Sequence, residues 1–544
     1  MASASPSTTT TTNPFLGRTL AAAGDWSVDE QRYLYEKTKE LKMAWTNTAN
    51  ASKEERANAL APFRIEDPEL NVYLMFLEAS TRTKESFRSA ANFHNVTLNI
   101  FDAATSSFTK KESLVDTLKM LVGYGKKSIF IMRTKMEGVC LAMEEQLSPY
   151  AERIGYQKPV FLNAGDGRHE HPTQEFLDEF TFLEQRQWDD SYIHLALIGD
   201  LLHGRTVHSK ADGLKVFRKV VVDLVAPPEL ALPESYKTKM IDNGFEVREY
   251  PSIESYLQSG NVSNCWYFTR LQLERMGDEI REREHDLRVA VTFQKKWMTD
   301  LPAGTKFYHP LPRHRETPVI PTWLDDTPLN GWDGQAINGY FTRTIELALV
   351  AGQLGHDFTG TGILPAPKND PFITEIPMTR KTHIEDHFKV GIKPVDDGTV
   401  IDHIAKGQPL EEIWDRISKI RKILKLNVRG SHGVFHCNDP QHFKGIMPLP
   451  DVHSFTKEQI KKLAAVSPGC TLNIIKDRSV LHKYRLAMPP KIYNFDEISC
   501  KNLDCITSRA AYQGVPPFFY RTVGDSFTCK YCGKRHNYGD IWDF

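Results

Sequence analysis

The last fifty or so residues contain four cysteines in two closely spaced pairs, and this spacing limits how the end of the chain can fold. Cys500 and Cys505 form one pair, and Cys529 and Cys532 form the other. Two short-range pairs of thiolates are typical of a closed, tetrahedral structural zinc site. We therefore predict a zinc-binding domain over residues 491–544 that needs its metal to fold. Two disulfides are the less favoured alternative.

The composition describes a folded protein with several domains. The chain has 544 residues, of which 40% are hydrophobic and 25% charged, and its net charge is −1. A chain of this length is too long for a single core, and its charge balance predicts neither nucleic acid nor a membrane surface as partner. No apolar run approaches the length that spans a bilayer.

The first residues and the cysteines bear on where the protein works. Residues 1–13 are small and polar, without the apolar segment of a signal peptide, and predict a disordered tail. Four of the eight cysteines are clustered as metal ligands would be. This pattern favours a reducing compartment, so we expect a cytoplasmic protein.

Short runs rich in β-forming residues alternate with helix-length segments through the first half of the chain, which predicts parallel α/β units. In open parallel sheets, ligands bind beyond the carboxyl ends of the strands. Polar residues follow these runs repeatedly, so we expect the site there. The predicted strands are 72–77, 128–132, 159–163, 193–198, 219–225 and 264–269.

The second half has a different pattern. An apolar helix is predicted over 337–354, and a segment rich in Gly, Pro and Thr over 355–387 is typical of a linker. Beyond it, strands are predicted at 390–395, 399–404 and 434–436. A helix over 410–424 has its isoleucines on one face. Residues 388–490 therefore predict a small α+β domain.

A phosphate-binding loop is predicted near the front of the chain. Ser80, Thr81, Arg82 and Thr83 follow an apolar run and begin a helix. A helix N-terminus attracts anions, the hydroxyls add donors, and the Arg82 guanidinium matches phosphate oxygens. Taken alone, the same residues are also an ordinary helix cap.

Further motifs follow in a fixed order, and with them the chain resembles the aspartate transcarbamoylase family over residues 14–354. The resemblance implies transfer of the carbamoyl group of carbamoyl phosphate to the amine of L-aspartate, which gives N-carbamoyl-L-aspartate and phosphate in pyrimidine synthesis. It implies two parallel-sheet α/β subdomains, 14–180 and 181–336, the first completed by the helix over 337–354. The motifs are Ser107-x3-Lys111, Arg133, His171-Pro-Thr-Gln174, Gly204-Arg205, Arg270-x-Gln272 and His309-Pro-Leu311-Pro-Arg313.

The resemblance also implies a role for each matched residue. Arg133 and His171 would stabilise the carbamoyl oxygen, and Gln174, with backbone carbonyls near Leu311, would hold the carbamoyl NH2. The departing phosphate would accept the amine's proton, so no catalytic cofactor is implied. The remaining residues are the phosphate ligands Ser80, Thr81, Arg82 and Thr83, and the aspartate clamp Arg205, Arg270 and Gln272.

The resemblance implies catalytic trimers, because Ser107 and Lys111 would complete the neighbouring subunit's site. A glycine expected before Glu112 is missing, and a solvated lysine pair is the alternative for this loop. Ornithine-specific relatives place a cysteine where this chain has Pro310, so aspartate is favoured as the second substrate. A different amine and a non-catalytic scaffold are the alternative interpretations.

Residues 388–544 resemble the family's separate regulatory chain, fused behind the catalytic part. This implies a ferredoxin-like α+β domain that binds a nucleotide effector, CTP or ATP, through Asp402, His403 and Lys483. A second expected lysine has no clear match, although Lys444 is a candidate. Domains that only bridge trimers, in a hexamer or a larger assembly, are the alternative.

Overall fold

The computed structural model describes residues 13–543, apart from several internal stretches. Ser107, Lys111, the tail over 1–12 and the predicted strand at 390–395, except for residue 395, lie outside the described residues. Asn13, included in the predicted tail, is held in place because its side-chain amide donates to the Leu354 carbonyl at 2.8 Å. The stretches not described are 102–111, 273–282, 363–370, 378–394, 427–431, 438, 440, 523 and 525.

The first unit is a parallel sheet covered by helices. Its strands are β1 (Glu66–Phe76), β2 (Asn95–Phe101), β3 (Lys127–Thr134) and β4 (Val160–Asp166), in the order β2-β1-β3-β4. Strand β4 is buried throughout, as expected of a parallel strand with helices on both faces. The helices are α1 (Val28–Asn47), α2 (Lys53–Leu60), α3 (Thr81–Phe93), α4 (Leu114–Val122), α5 (Val139–Arg153) and α6 (Pro172–Gln185).

A second parallel sheet follows, in the order β7-β6-β5-β8-β9. Its strands are β5 (Ile193–Ile198), β6 (Val220–Val225), β7 (Glu246–Tyr250), β8 (Cys265–Phe268) and β9 (Lys306–Tyr308). The helices are α7 (Arg205–His208), α8 (Lys210–Gly213), α9 (Glu234–Asp242), α10 (Ile253–Gln258) and α11 (Glu284–Val291). The two parallel sheets confirm the predicted α/β class, whereas the domain limits at 180 and 336 stay a prediction.

The chain then returns to the first unit through helix α12 (Trp332–Val350), which packs on α3 and α6. The predicted bounds, 337–354, were wrong at both ends. The helix begins at Trp332 because Gly331 serves as its N-cap, and the early Gly334 hid this first turn from the apolar pattern. It ends at Val350, shortly before Gly352, whose φ of +82° is the left-handed conformation that commonly terminates helices.

Part of the predicted linker belongs to the next domain. Strand β10 (Ile373–Glu375) lies inside the 355–387 segment, and it pairs with Ser479–Leu486, the edge strand of the antiparallel sheet that follows. The linker prediction was therefore wrong for these residues. A strand of three residues is too short to show a pattern in the sequence, and it is held by main-chain pairing instead. The rest of this sheet is β11 (Gly398–Ile404), β12 (Gly433–His436), β13 (Phe443–Leu449), β14 (Thr471–Lys476) and β15 (Ser479–Leu486).

The α+β domain has the ferredoxin-like arrangement. The antiparallel sheet has the order β10-β15-β14-β11-β13-β12, and helices α13 (Leu410–Ile423) and α14 (Lys457–Val466) connect its strands. Strands β11, β12, β13 and β14, with the order β14-β11-β13-β12 in the sheet, follow the split βαβ pattern of that fold. Ile413, Ile417 and Ile420 are buried on one face of α13, as the periodicity predicts.

The last domain is a small antiparallel sheet beside helix α5. Its strands are β16 (Lys491–Tyr493), β17 (Phe518–Arg521), β18 (Ser526–Cys529) and β19 (Arg535–Asn537). Phe519 and Phe527 belong to the same apolar core as Phe130 and Met143 of the first unit, so the two domains share buried surface. Among the described residues, no helix has the length and apolar character to cross a membrane.

Candidate active site and metal centre

The predicted phosphate loop lies where strand β1 leads into helix α3. Ser80 is the N-cap residue, yet within the described part of the chain its side chain accepts no capping hydrogen bond. Thr81 and Arg82 are exposed and Thr83 is buried. Partial burial and the nearby charge of Arg313 lower the pKa of Arg82. Cationic side chains therefore crowd around a helix N-terminus, which is an arrangement suited to a phosphate anion.

Arg133 of the first unit and Arg205 of the second lie close together. Arg133 lies at the end of β3 and Arg205 begins α7, and both reach Glu78: Arg205 Nη1 lies 3.1 Å from Glu78 Oε2, and Arg133 Nε lies 3.8 Å from it. Gly165, with a φ of +111°, allows this approach, because a Cβ there would lie 3.0 Å from both guanidinium groups. One carboxylate thus holds two guanidinium groups, which leaves an excess of positive charge.

His171 is the N-cap residue of helix α6 and is only 3% exposed. Its backbone N–H donates to Ser209 Oγ at 3.1 Å, and the Thr173 hydroxyl lies 3.4 Å from its Nδ1. Burial lowers the pKa of His171 well below its usual value, and the charges of Arg133 and Arg205 lower it further. The imidazole is therefore neutral at physiological pH.

The loop that contains Leu311 lies near the phosphate loop. The Leu311 N–H donates to His309 Nδ1 at 2.7 Å, and Leu311 has a φ of +57°, which is uncommon for leucine. Burial, together with the charges of Arg313, Arg82 and Arg270, lowers the pKa of His309 to about 3. Because Arg82 and Arg270 act on His309, the phosphate loop and Arg270 lie close to the 309–313 loop.

The residues predicted to bind aspartate follow strands β5 and β8 of the second sheet. Gln272 is held by its backbone N–H, which donates to Asp200 Oδ2 at 3.1 Å, and by its side-chain amide, which donates to the His203 carbonyl at 3.0 Å. Arg270 comes two residues after the end of β8 and is half-buried. The two residues therefore lie at the carboxyl edge of the second sheet, as Arg205 does.

Sequence reasoning missed two acidic residues of this site. Glu78 bridges Arg133 and Arg205, and Asp178 accepts a hydrogen bond from Gln174 Nε2 at 2.8 Å. A signal for each was present, since Glu78 lies two residues before the phosphate loop and Asp178 lies one helical turn after Gln174. Ser107 and Lys111, in contrast, lie outside the described residues.

The four cysteines of the last domain come together as predicted. Their Sγ atoms all lie within 4.8 Å of one another, with 3.7 Å between Cys500 and Cys532 and 3.9 Å between Cys505 and Cys529. A tetrahedron with metal–sulfur bonds of about 2.3 Å has edges of about 3.8 Å, so the donors fit a metal ion of that size. His536 Nε2 lies 3.3 Å from Cys500 Sγ and can orient this thiolate.

The metal centre contacts the first unit through Glu137. Its backbone N–H donates to the Asp504 carbonyl at 2.7 Å, and its carbonyl accepts from the Ile506 N–H at 3.0 Å. Its side chain accepts from Asn502 Nδ2 at 2.5 Å. The next residue, Gly138, lies so close to Tyr531 that a Cβ would be 2.5 Å from it. The cysteine loop and helix α5 are therefore packed in direct contact.

A group of charged residues lies on the antiparallel sheet of the α+β domain. Lys444 Nζ lies 2.7 Å from Asp402 Oδ1, and His403 Nδ1 lies 3.0 Å from Thr471 Oγ1. Burial lowers the pKa of His403; Asp402 opposes this effect, and Lys444 and Lys483 add to it. The sequence offered no clear match for a second effector lysine. In the structure, Lys444 lies beside the predicted effector residues Asp402 and His403.

Three family models match the chain in the order of these domains. The carbamoyl-phosphate-binding domain of aspartate/ornithine carbamoyltransferase matches residues 18–184. The allosteric and metal-binding domains of the aspartate carbamoyltransferase regulatory chain match residues 390–487 and 490–542. Aspartate transcarbamoylase from Trypanosoma cruzi, solved with N-(phosphonacetyl)-L-aspartic acid, is 26% identical with a TM-score of 0.52, and the match covers 62% of this chain and 97% of that chain. The fold is that of a carbamoyltransferase.

Two relatives match over nearly their whole length. Protein PyrBI of Thermotoga maritima is 52% identical over 533 residues, which cover 97% of this chain and 99% of the relative. Protein PyrBI of Treponema denticola is 47% identical over 542 residues, with the same coverage. The chain belongs to the PyrBI family of aspartate carbamoyltransferases, with catalytic and regulatory parts in one polypeptide. It transfers the carbamoyl group of carbamoyl phosphate to L-aspartate.

Proposed function

We propose that this transfer takes place between the two parallel sheets, with residues of both acting on one carbamoyl phosphate. The observation that carries the proposal is a buried, neutral His171 beside the paired Arg133 and Arg205. A neutral imidazole can donate a hydrogen bond without adding a charge. Arg133 and His171 would then stabilise the negative charge that develops on the carbamoyl oxygen when the amine attacks.

The other predicted residues bind the remaining parts of the substrates. Ser80, Thr81, Arg82 and Thr83 would hold the phosphate, which is both the leaving group and the acceptor of the amine's proton. The aspartate carboxylates would be bound by Arg205, Arg270 and Gln272, since two carboxylates need two cationic partners. The free amine then faces the carbonyl carbon, and no side chain is required as base.

We expect His171→Ala to lower kcat by about 10²- to 10³-fold, the usual loss when one donor to a developing oxyanion is removed. The acidic side of the pH profile is the distinguishing measurement. Because the pKa of His171 lies well below its usual value, the neutral form persists as the pH falls through 6.5. The wild type and His171→Ala should therefore show the same acidic limb between pH 6 and pH 8.

The control for this variant is His356→Ala, because His356 is an exposed histidine beyond helix α12. His356→Ala should retain the wild-type kcat. Loss of the acidic limb in His171→Ala alone would mean that His171 titrates during the reaction, and the proposed role as a neutral donor would be wrong.

The metal centre is proposed to hold zinc. Four thiolate donors with tetrahedral spacing are the usual ligands of structural zinc, and they fill all four positions, so none is left open for the water of a catalytic site. Clustered, unpaired thiols also favour a reducing compartment, the cytoplasm. The metal would fix the loops around the four cysteines that contact Glu137.

The regulatory domain is proposed to bind a nucleotide such as CTP or ATP, within an assembly built on catalytic trimers. Lys444 supplies the second cation that the sequence left open, 2.7 Å from Asp402 and next to His403. With Lys483, two ammonium groups would bind the phosphates. An architectural domain without effector is the alternative.

We expect Lys444→Met to weaken CTP binding by about 10- to 150-fold, because a charge-assisted hydrogen bond contributes about 1.5–3 kcal/mol. Isothermal titration of the full-length protein with CTP and with ATP measures this, and Lys419→Met, on the same domain but paired with Asp415, is the control. Absence of any nucleotide binding by the wild type would favour the architectural alternative.

A further inference from the structure

Asp178 joins the proposed carbamoyl pocket to both helix α12 and the second sheet. It lies in helix α6 and is fully buried. Its Oδ1 lies 2.8 Å from Gln174 Nε2 and 2.6 Å from Gln335 Nε2. Its Oδ2 lies 3.0 Å from Lys210 Nζ. One carboxylate therefore contacts a proposed substrate residue, the returning helix and helix α8.

The chemistry of a carboxylate fixes how both glutamine amides are oriented. An ionised carboxylate only accepts hydrogen bonds, so each amide nitrogen must face Asp178. The orientation of Gln335 is also fixed from its other end, where Oε1 accepts the His309 N–H at 2.9 Å. Gln174 uses its Nε2 in the same way, and its Oε1 is then the atom left for the pocket.

A buried ion cluster supports this arrangement. Lys210 also lies 2.7 Å from Glu175 and 3.4 Å from Glu179, and the side chains of all these residues are 0% exposed. A neighbouring ammonium favours the ionised carboxylate. Burial raises the pKa of Glu175 and of Glu179, so these two residues are expected to hold the protons of the cluster.

We propose that Asp178, paired with Lys210, is a positioning residue that turns the Gln174 amide oxygen toward the pocket and so selects an acyl phosphate that carries an NH2 group. An oxygen at that position accepts a hydrogen bond from a carbamoyl NH2, whereas the methyl group of an acetyl phosphate has no proton to donate. The proposal rests on the proposed role of Gln174 as a carbamoyl contact.

The test compares two ligands that differ only in this group. The KM for carbamoyl phosphate and the inhibition constant of acetyl phosphate are measured on the full-length enzyme. We expect Asp178→Asn to reduce the preference for carbamoyl phosphate by about 3- to 10-fold, the value of one net hydrogen bond. Asparagine has the same shape but can also donate, so the Gln174 amide is free to turn over. Acetyl phosphate inhibition should change less than about twofold.

Two further variants separate the possible explanations. Gln174→Ala should lower the preference by at least as much, and Glu179→Gln, which changes a carboxylate of the same cluster without a bond to Gln174, should leave it unchanged. If Gln174→Ala lowers the preference and Asp178→Asn does not, the positioning role is wrong and Gln174 keeps its own. If Gln174→Ala also has no effect in an active enzyme, the proposed Gln174 contact is wrong and this proposal with it.

Folding is controlled separately. Asp178→Asn removes one negative charge from a cluster of three carboxylates around one ammonium, so we expect a folded protein with a similar melting temperature. If it fails to fold, Asp178→Glu keeps the charge but moves the carboxylate, and the same ratio is measured. An equal loss for both ligands in either variant would show a merely structural role and overturn the proposal.

Discussion

Arg82→Ala is expected to lower kcat/KM for carbamoyl phosphate by about 10³-fold, because it removes a charge-assisted bond to the transferring group's phosphate. The loss should appear without a loss of stability. The side chain of Arg82 is largely exposed, and its partial burial and the like charge of Arg313 lower its pKa, so its removal relieves repulsion in the free protein. Steady-state kinetics and a thermal melt measure the two quantities on one preparation.

Arg88→Ala is the matched control for this variant. Arg88 lies in the same helix, is paired with Glu85 at 2.7 Å and is exposed. Its removal should leave kcat/KM within about twofold, since surface ion pairs contribute little. Wild-type activity in Arg82→Ala would contradict the proposed phosphate site, whereas an equal loss in Arg88→Ala would point to the helix rather than to the guanidinium.

The same variant tests whether neighbouring chains share sites. Lys111 is proposed to reach the next chain's site, so Arg82→Ala and Lys111→Ala would each be inactive alone. In mixed trimers, one native site forms wherever the intact residues of both variants meet, and random mixing restores about a quarter of wild-type activity. If subunit exchange is verified and activity does not return, each site is built within one chain.

Much of the site could be predicted because strand ends impose order on polar residues. Arg133 and Arg205 follow different strands, and parallel sheets bring such positions to one edge. The four cysteines were equally informative, because metal ligation requires them to meet. Features that depend on strand direction or on ligand spacing could therefore be predicted from the sequence.

The remaining features depend on contacts between distant segments. Asp178 and Lys210 are ordinary polar residues in the sequence, and only the packing of α6 against α8 makes them one buried cluster. Glu78 acquires its partners from two different sheets. The short strand over 373–375 exists because it pairs with an edge strand more than a hundred residues away. Such features are set by tertiary contacts, which a single sequence does not contain.

Removal of the metal is expected to unfold the last domain while leaving the parallel sheets intact. Structural zinc contributes about 10–16 kcal/mol of apparent binding free energy, which is as large as the stability of a whole domain. A sheet of four short strands has little core apart from the surface that it shares with helix α5. Loss of the metal should therefore expose the four buried cysteines and residues 491–544 to solvent.

Three measurements on one chelated sample check this expectation. Thiol titration should find four additional reactive cysteines, limited proteolysis should remove the last domain, and sedimentation should show a smaller assembly. Carbamoyl transfer should persist, because every proposed substrate residue lies before residue 354. Added zinc should restore protection if it is the native metal. Verified metal loss with an unchanged tail and assembly would contradict the structural role.

A pair of glycine variants separates docking of the metal domain from its folding. Gly138 and Gly155 flank helix α5 with φ values of +81° and +77°. Gly138 lies against Tyr531, whereas a Cβ on Gly155 would meet no atom within 4 Å among the described residues beyond its two chain neighbours. Alanine costs similar backbone strain at both positions, about 1 kcal/mol. Gly138→Ala adds a clash at the interface, so it should release a domain that still holds its metal, while Gly155→Ala leaves it docked. Equal behaviour of the two variants would mean that the Gly138 contact does not hold the domain, and the contacts of Glu137 would then be the ones that fasten it.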